Sequence, residues 1–96
     1  MRIIGTATSP AEIAKLMAER RNELGITGRQ LDQIAGLADG HTSKIECGIK
    51  KLGAITLPTL LDTLGLKLAI IADDNAIPPQ TRRAFGSKRR TSLKVA

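Results

Sequence analysis

Gly36-Leu37-Ala38-Asp39-Gly40-His41-Thr42-Ser43-Lys44-Ile45-Glu46-Cys47-Gly48 follows a short capped helix and reads as the turn and second helix of a helix-turn-helix. Immediately upstream, Thr27-Gly28-Arg29-Gln30 has the form of a capping box, in which the Thr hydroxyl and the Gln side chain each satisfy an orphan amide. Leu31, Ile34 and Ala35 then make a short apolar stripe, and helix two ends near Gly36 after about two turns. Beyond the turn, Asp39 is expected as the N-cap or first-turn residue of helix three, with Ile45 inward and Gly48 as the stop. Thr42 stands where an aliphatic residue would pack better and is expected to be half-buried.

Working outward, Ser9-Pro10-Ala11-Glu12 combines an N-cap Ser, a Pro at the first helical position and a Glu three residues after the cap. Helix one is expected over 10–24, with Ile13, Leu16, Met17 and Leu24 on one face and Gly25 as its stop. Its other face is charged, and Arg20 and Arg21 are placed where they can approach a phosphate. Thr56 is expected to cap helix four, which turns Leu57, Leu60, Leu61 and Leu64 inward and stops at Gly65. The stretch 66–72 changes character: β-branched residues and alternation predict a strand. A lone strand needs partners for its backbone groups, so it is expected to pair with the same strand of a second copy or with Arg2-Ile3-Ile4. Self-pairing gives a two-fold homodimer, with Leu66, Leu68, Ile70 and Ile71 as the dimerisation residues. After Asn75, Ile77-Pro78-Pro79 is read as breaking regular structure. The expected organisation is a helix-turn-helix domain over 1–75, with its strand at 66–72, followed by a basic disordered tail over 76–96. The fold class is thus all-α, with four to five short helices and one C-terminal β-strand pairing across a dimer.

Charge is unevenly placed in these 96 residues of net charge +6. Through residue 75 the basic side chains are Arg2, Lys15, Arg20, Arg21, Arg29, Lys44, Lys50, Lys51 and Lys67, balanced by nine acids. Arg82, Arg83, Lys88, Arg89, Arg90 and Lys94 then follow with no acid among them, so the whole excess belongs to the tail. A single Phe, with neither Trp nor Tyr, leaves no aromatic platform for stacked bases and disfavours single-strand and RNA-type recognition. The one cysteine, Cys47, excludes an intramolecular disulfide and is compatible with a reducing cytoplasm. The longest apolar run, Leu68 to Ala72, is far too short to span a bilayer, so a cytoplasmic protein without a membrane partner is expected.

A helix-turn-helix reads duplex DNA by laying its second helix in the major groove, while flanking groups hold phosphates. On that scheme Asp39, Gly40, His41, Ser43 and Lys44 face the bases, and Thr27, Gly28, Arg29, Gln30, Lys50 and Lys51 face the phosphates. Lys44 and His41 can donate to guanine acceptors, and Asp39 can accept from a cytosine amino group, although capping is its preferred role. Lone His41 and lone Cys47 make neither a metal site nor a nucleophile–base arrangement, so no metal, no cofactor and no enzymatic activity are expected.

The run Leu31 to Glu46, with Ile26-Thr27 before it and Cys47-Gly48 after it, resembles the phage-repressor type of helix-turn-helix, the Cro-type or XRE family, whose domain is lambda-repressor-like. The resemblance covers roughly residues 9 to 72. The order of Ser-Pro-started helix, helix-turn-helix, leucine-rich helix and terminal strand is similar to HipB-type antitoxins, and implies a strand paired between subunits. The chain departs from the family pattern where Asp32 replaces a small apolar residue, where Asp39-Gly40 replaces long polar side chains, and at Thr42. Asp32 is expected to hydrogen bond across the turn to the start of helix three. The function implied is a homodimeric, sequence-specific double-stranded DNA-binding transcriptional regulator of repressor type, with helix 39–47 in the major groove. The alternative is a helix-turn-helix that mainly binds a protein, either neutralising a toxin as an antitoxin or sequestering a transcriptional activator as an antiactivator. Asp39-Gly40, the neutral body and apolar residues around Ile49, Leu52 and Ile55 favour that alternative.

Overall fold

A computed structural model describes residues 1–86. They form a small all-helical protein: α1 over Pro10–Glu23, α2 over Gly28–Ala35, α3 over His41–Glu46, α4 over Thr56–Thr63 and α5 over Pro79–Gly86, with a 3₁₀ turn at Asp74–Ala76. The start of α1 follows from local chemistry. The Ser9 hydroxyl accepts the Glu12 amide at 3.2 Å, while the Glu12 carboxylate reaches back to the Thr8 amide and hydroxyl, both at 2.9 Å. Those two contacts with Thr8 and a third with the Ser9 hydroxyl hold the exposed Glu12 carboxyl below the ordinary glutamate range. At α2 the capping box is complete: the Thr27 amide donates to Gln30 Oε1 at 2.8 Å and the Gln30 amide to Thr27 Oγ1 at 3.1 Å. Gly36, at φ 72°, ends α2 in the left-handed conformation that glycine adopts without strain.

Ala14 and Met17 of α1, Leu31 of α2, Ile45 of α3, and Leu60 and Leu64 of α4 are buried together, with Leu37, Leu52, Leu57 and Leu61 among the half-buried residues packed around them. Two polar side chains share this interior, Asp32 at 1% exposure and Thr42 at 3%. Thr42 is therefore fully buried, not half-buried, because its hydroxyl has a partner inside.

Several expected boundaries change. The N-cap position of α4 is Ile55, with Thr56 already inside the helix and no side-chain cap made. No β-strand forms among the described residues, and 66–72 has no regular secondary structure. The Leu66 amide closes the end of α4 on the Leu61 carbonyl at 2.8 Å, after which the backbone has no partner strand among the described residues. The partner offered by Arg2-Ile3-Ile4 is not used, because that segment lies along α1. Arg2 pairs with Glu23 there at 2.7 Å, and Gly5 sits so close to Leu16 that an added Cβ would lie 2.5 Å from its Cδ2. Regular structure also continues past Ile77-Pro78-Pro79. Pro79 occupies the first helical position of α5, where its missing amide hydrogen breaks no bond. The rest of the expected tail, 87–96, lies outside the described residues. No described helix is long and apolar enough to cross a membrane.

Candidate nucleic-acid interface

The start of α3 is held from below. Its N-cap position is Gly40, in the left-handed conformation at φ 83°, and no side chain of the turn caps it. The cap comes instead from Asp32, in the middle of α2. Oδ2 accepts the Gly40 amide at 2.9 Å, and Oδ1 accepts the Thr42 amide at 2.8 Å and the Thr42 hydroxyl at 2.6 Å. Burial pushes the Asp32 carboxyl up, but the Thr42 hydroxyl, the Thr42 amide and the Gly40 amide together bring it below the ordinary aspartate range, with a smaller contribution from His41. The expected bond from Asp32 across the turn is thus made, and it displaces Asp39 from the capping role.

Asp39 is consequently exposed at the surface. Its carboxylate lies 3.9 Å from Arg29 Nε across a shallow depression also lined by Gly28, Asp32, Gly40 and Ser43. On α3, Thr42 and Ile45 turn inward, Ser43 and Lys44 are exposed, and His41 is half-buried. Thr27 Oγ1 and Gln30 Oε1 each accept the other residue's backbone amide, so the start of α2 offers a ligand the Thr27 hydroxyl proton, the Gln30 side-chain NH2 and the first-turn amides of Gly28 and Arg29, which have no preceding helical carbonyl. At the other end, the amides of Ile49 and Lys50 both donate to the Lys44 carbonyl, at 2.8 and 3.0 Å, folding the Lys50-Lys51 loop against the end of α3. Lys50 and Lys51 are exposed, as is Cys47.

Arg20 and Arg21 are not available to a phosphate. Arg21 donates to both Glu46 oxygens, at 2.7 and 2.9 Å, and to the Ile26 carbonyl at 2.7 Å, which binds α1 to α3 and to the α1–α2 connection. Glu46 correspondingly raises the Arg21 guanidinium further above its already high range. Arg20 donates to the Leu64 carbonyl at the end of α4 at 3.0 Å and pairs with Glu23 at 2.7 Å. Glu23 is also the partner of Arg2, and the hydrogen bonds from Arg2 and Arg20 lower its carboxyl pKa. Three of these contacts, Arg2–Glu23, Arg21–Glu46 and Arg20 to the Leu64 carbonyl, join residues more than twenty positions apart, and nothing in the local sequence marks them.

Among the described residues no group of three or more His, Cys, Asp and Glu can hold a metal ion. What the α2–α3 face presents is a set of donors (Lys44, Ser43, His41, Arg29 and the lysine pair) around one carboxylate, Asp39. Such a face can meet base edges and phosphates, or a polar protein surface. No protein-family model matches the chain, and neither a curated protein nor a solved structure does.

Proposed function

We propose that the protein is a transcriptional regulator of repressor type that binds double-stranded DNA sequence-specifically, acting in the cytoplasm as a homodimer of lambda-repressor-like helix-turn-helix domains. The observation that carries this reading is the outward face of α3. Asp32 and the core hold Thr42 and Ile45, which leaves Ser43, Lys44, half-buried His41 and the preceding Asp39 free to meet the major groove. Arg29 and the α2 amides on one flank, and Lys50 and Lys51 on the other, are then phosphate contacts. Dimerisation through 66–72 is supported by the exposure of its apolar side chains, Ile70 at 98% and Leu68 and Ile71 above half. Two such chains related by a two-fold axis would read half-sites about one helical turn apart.

Mobility shifts over a library of duplexes at several salt concentrations test the reading. A preferred palindrome is expected, bound at least about tenfold more weakly after Lys44→Ala, with uniform weakening after Lys50→Ala or Lys51→Ala. Loss of all sequence preference at moderate salt, with wild type and Lys44→Ala equal, overturns it. A second reading, binding of a toxin or a transcriptional activator, is favoured by Ile49 and by Ile55 at 82% exposure, which leave apolar side chains in solvent on either side of Lys50-Lys51. A stoichiometric protein partner lost on Ile55→Ser, with no operator found, would make this the main function.

A further inference from the structure

We propose that the site read by α3 is built of adjacent G·C pairs, and that Asp39 selects a cytosine in it by accepting from the exocyclic amino group of that base. The inference rests on α3 being the reading helix and names what that helix reads. Asp39 is free for the task because Asp32 has taken the cap. The Gly40 and Thr42 amides, which an acid in the turn would otherwise hold, are both bound by the buried carboxylate of α2. The Asp39 side chain is 74% exposed, and its ion-pair partner, Arg29 Nε at 3.9 Å, lies beyond hydrogen-bond distance. The carboxylate oxygens therefore keep their lone pairs for a ligand.

The neighbouring donors point to the base that pairs with cytosine. Exposed Lys44 and half-buried His41, three residues before it, stand about 4.5 Å apart along the helix axis, comparable to the roughly 3.4 Å between successive bases. Both can donate to guanine O6 or N7. What this face lacks is as informative. Adenine is read bidentately by Asn or Gln, and 36–48 contains neither. Gln30, at the start of α2, has its Oε1 on the Thr27 amide at 2.8 Å, which leaves only its NH2 group uncommitted. Thymine is read by apolar contact with its methyl group. Within α3, Ile45 is in the core, and the Thr42 methyl lies towards Gly28, where an added Cβ would stand 3.6 Å from it. A carboxylate also works by exclusion. Beside phosphates it weakens binding to any duplex, and the acceptors that guanine, adenine and thymine present in the major groove repel it. Cytosine presents a donor alone, and so compensates it.

The test uses full-length wild type, Asp39→Ala, Asp39→Asn and Lys44→Ala, each selecting from randomised duplexes, followed by affinities for the selected site and for a duplex of arbitrary sequence. The wild-type half-site is expected to hold adjacent G·C pairs with a fixed cytosine, whose replacement by thymine weakens binding about tenfold. Asp39→Ala is expected to shrink that preference to about twofold or less, and Asp39→Asn to exchange cytosine for adenine at the same step. Both variants are expected to bind the arbitrary duplex about twofold more tightly, a gain that damage to the fold does not produce. Lys44→Ala is expected to relax a guanine and keep the cytosine. Selection of A·T pairs at these steps, or the same cytosine preference in both Asp39 variants, overturns the proposal and leaves base reading by α3 standing. Absence of any preference in the wild type overturns both.

Discussion

The Thr42 hydroxyl donates to Asp32 Oδ1 over 2.6 Å inside the protein, in a contact that links residues ten apart and joins the middle of α2 to the first turn of α3. The same carboxylate takes the Gly40 and Thr42 amides, so one buried side chain does for α3 what a cap residue in its own turn does for most helices. Asp32→Ala leaves two amides and a hydroxyl facing apolar surroundings and is expected to cost about 2–4 kcal/mol. Thr42→Val removes one donor while keeping shape and is expected to cost about 1 kcal/mol. Because the two share a contact, the double variant is expected to be less destabilised than the sum, by about 0.5 kcal/mol or more. Urea unfolding of the four proteins measures this, and strict additivity would remove the coupling.

The same site sets a pH dependence. Asp32 titrates below its unfolded value of about 3.9, so folding is favoured by its ionised form. Its contribution is complete above the unfolded value and is lost as pH falls through the lower folded one. The exposed carboxyls of Glu12 and Glu23 are also lowered and act in the same direction. Stability carried by these groups is therefore expected to be level from neutral pH down to about 5 and to fall below about 4. Asp32→Asn is expected to be less stable at pH 7 and to show a shallower acid slope. Parallel acid limbs in thermal scans of wild type and variant would show that Asp32 contributes none of it.

Arg21 and Glu46 make a bidentate pair that ties α1 to α3, with a third bond from Arg21 to the Ile26 carbonyl. Both side chains are mostly shielded, which lifts the pair above the small worth of exposed ion pairs. Arg21→Ala is expected to cost about 2 kcal/mol, and Arg21→Lys to recover less than half, since an ammonium cannot fork across both oxygens. Glu46→Gln keeps the shape and reports the charge. A lysine variant as stable as wild type in thermal unfolding would contradict the fork.

The parts of this architecture that were legible in the sequence are those encoded within four residues. Ser9-Pro10 with Glu12, and Thr27 with Gln30, start their helices as their spacing dictates, because each cap is satisfied by its own turn. Gly25, Gly36 and Gly65 adopt the positive φ that a helix stop demands. Asp39 has the same local credentials for α3, yet the cap comes from Asp32, since a buried carboxylate reached through tertiary packing outcompetes an exposed one. Thr56 shows the limit differently: a favourable cap residue lies inside the helix because Gly53 and Ile55 carbonyls already accept from its first turn. The long-range contacts of Arg20 and Arg21 were illegible for a related reason, as Leu64 stands at the end of α4 and Glu46 on α3. On the candidate interface, the placement of Ser43 and Lys44 outward follows from the inward turn of Ile45, which periodicity shows. The freedom of Asp39 does not, since it depends on Asp32.

The segment 66–72 gives a last prediction, in which a dimer and a fold can be separated. Within one chain it buries little: Leu66 is half-buried against the core, whereas Leu68, Ile70 and Ile71 are exposed. Substituting an exposed residue changes the folded monomer little, usually within about 0.5 kcal/mol. Ile70→Asp, which sets two like charges near a two-fold axis if the segments pair, is therefore expected to abolish a dimer while leaving helicity and the thermal transition of the monomer nearly intact. Sedimentation at several concentrations reads the first effect and circular dichroism the second. In the operator assay the same variant is expected to bind on the order of a hundredfold more weakly, because two half-sites are no longer engaged by one linked molecule. A wild-type chain that sediments as a monomer at every concentration, or a variant that still dimerises, would place the self-association surface elsewhere and leave the exposed isoleucines to a different partner.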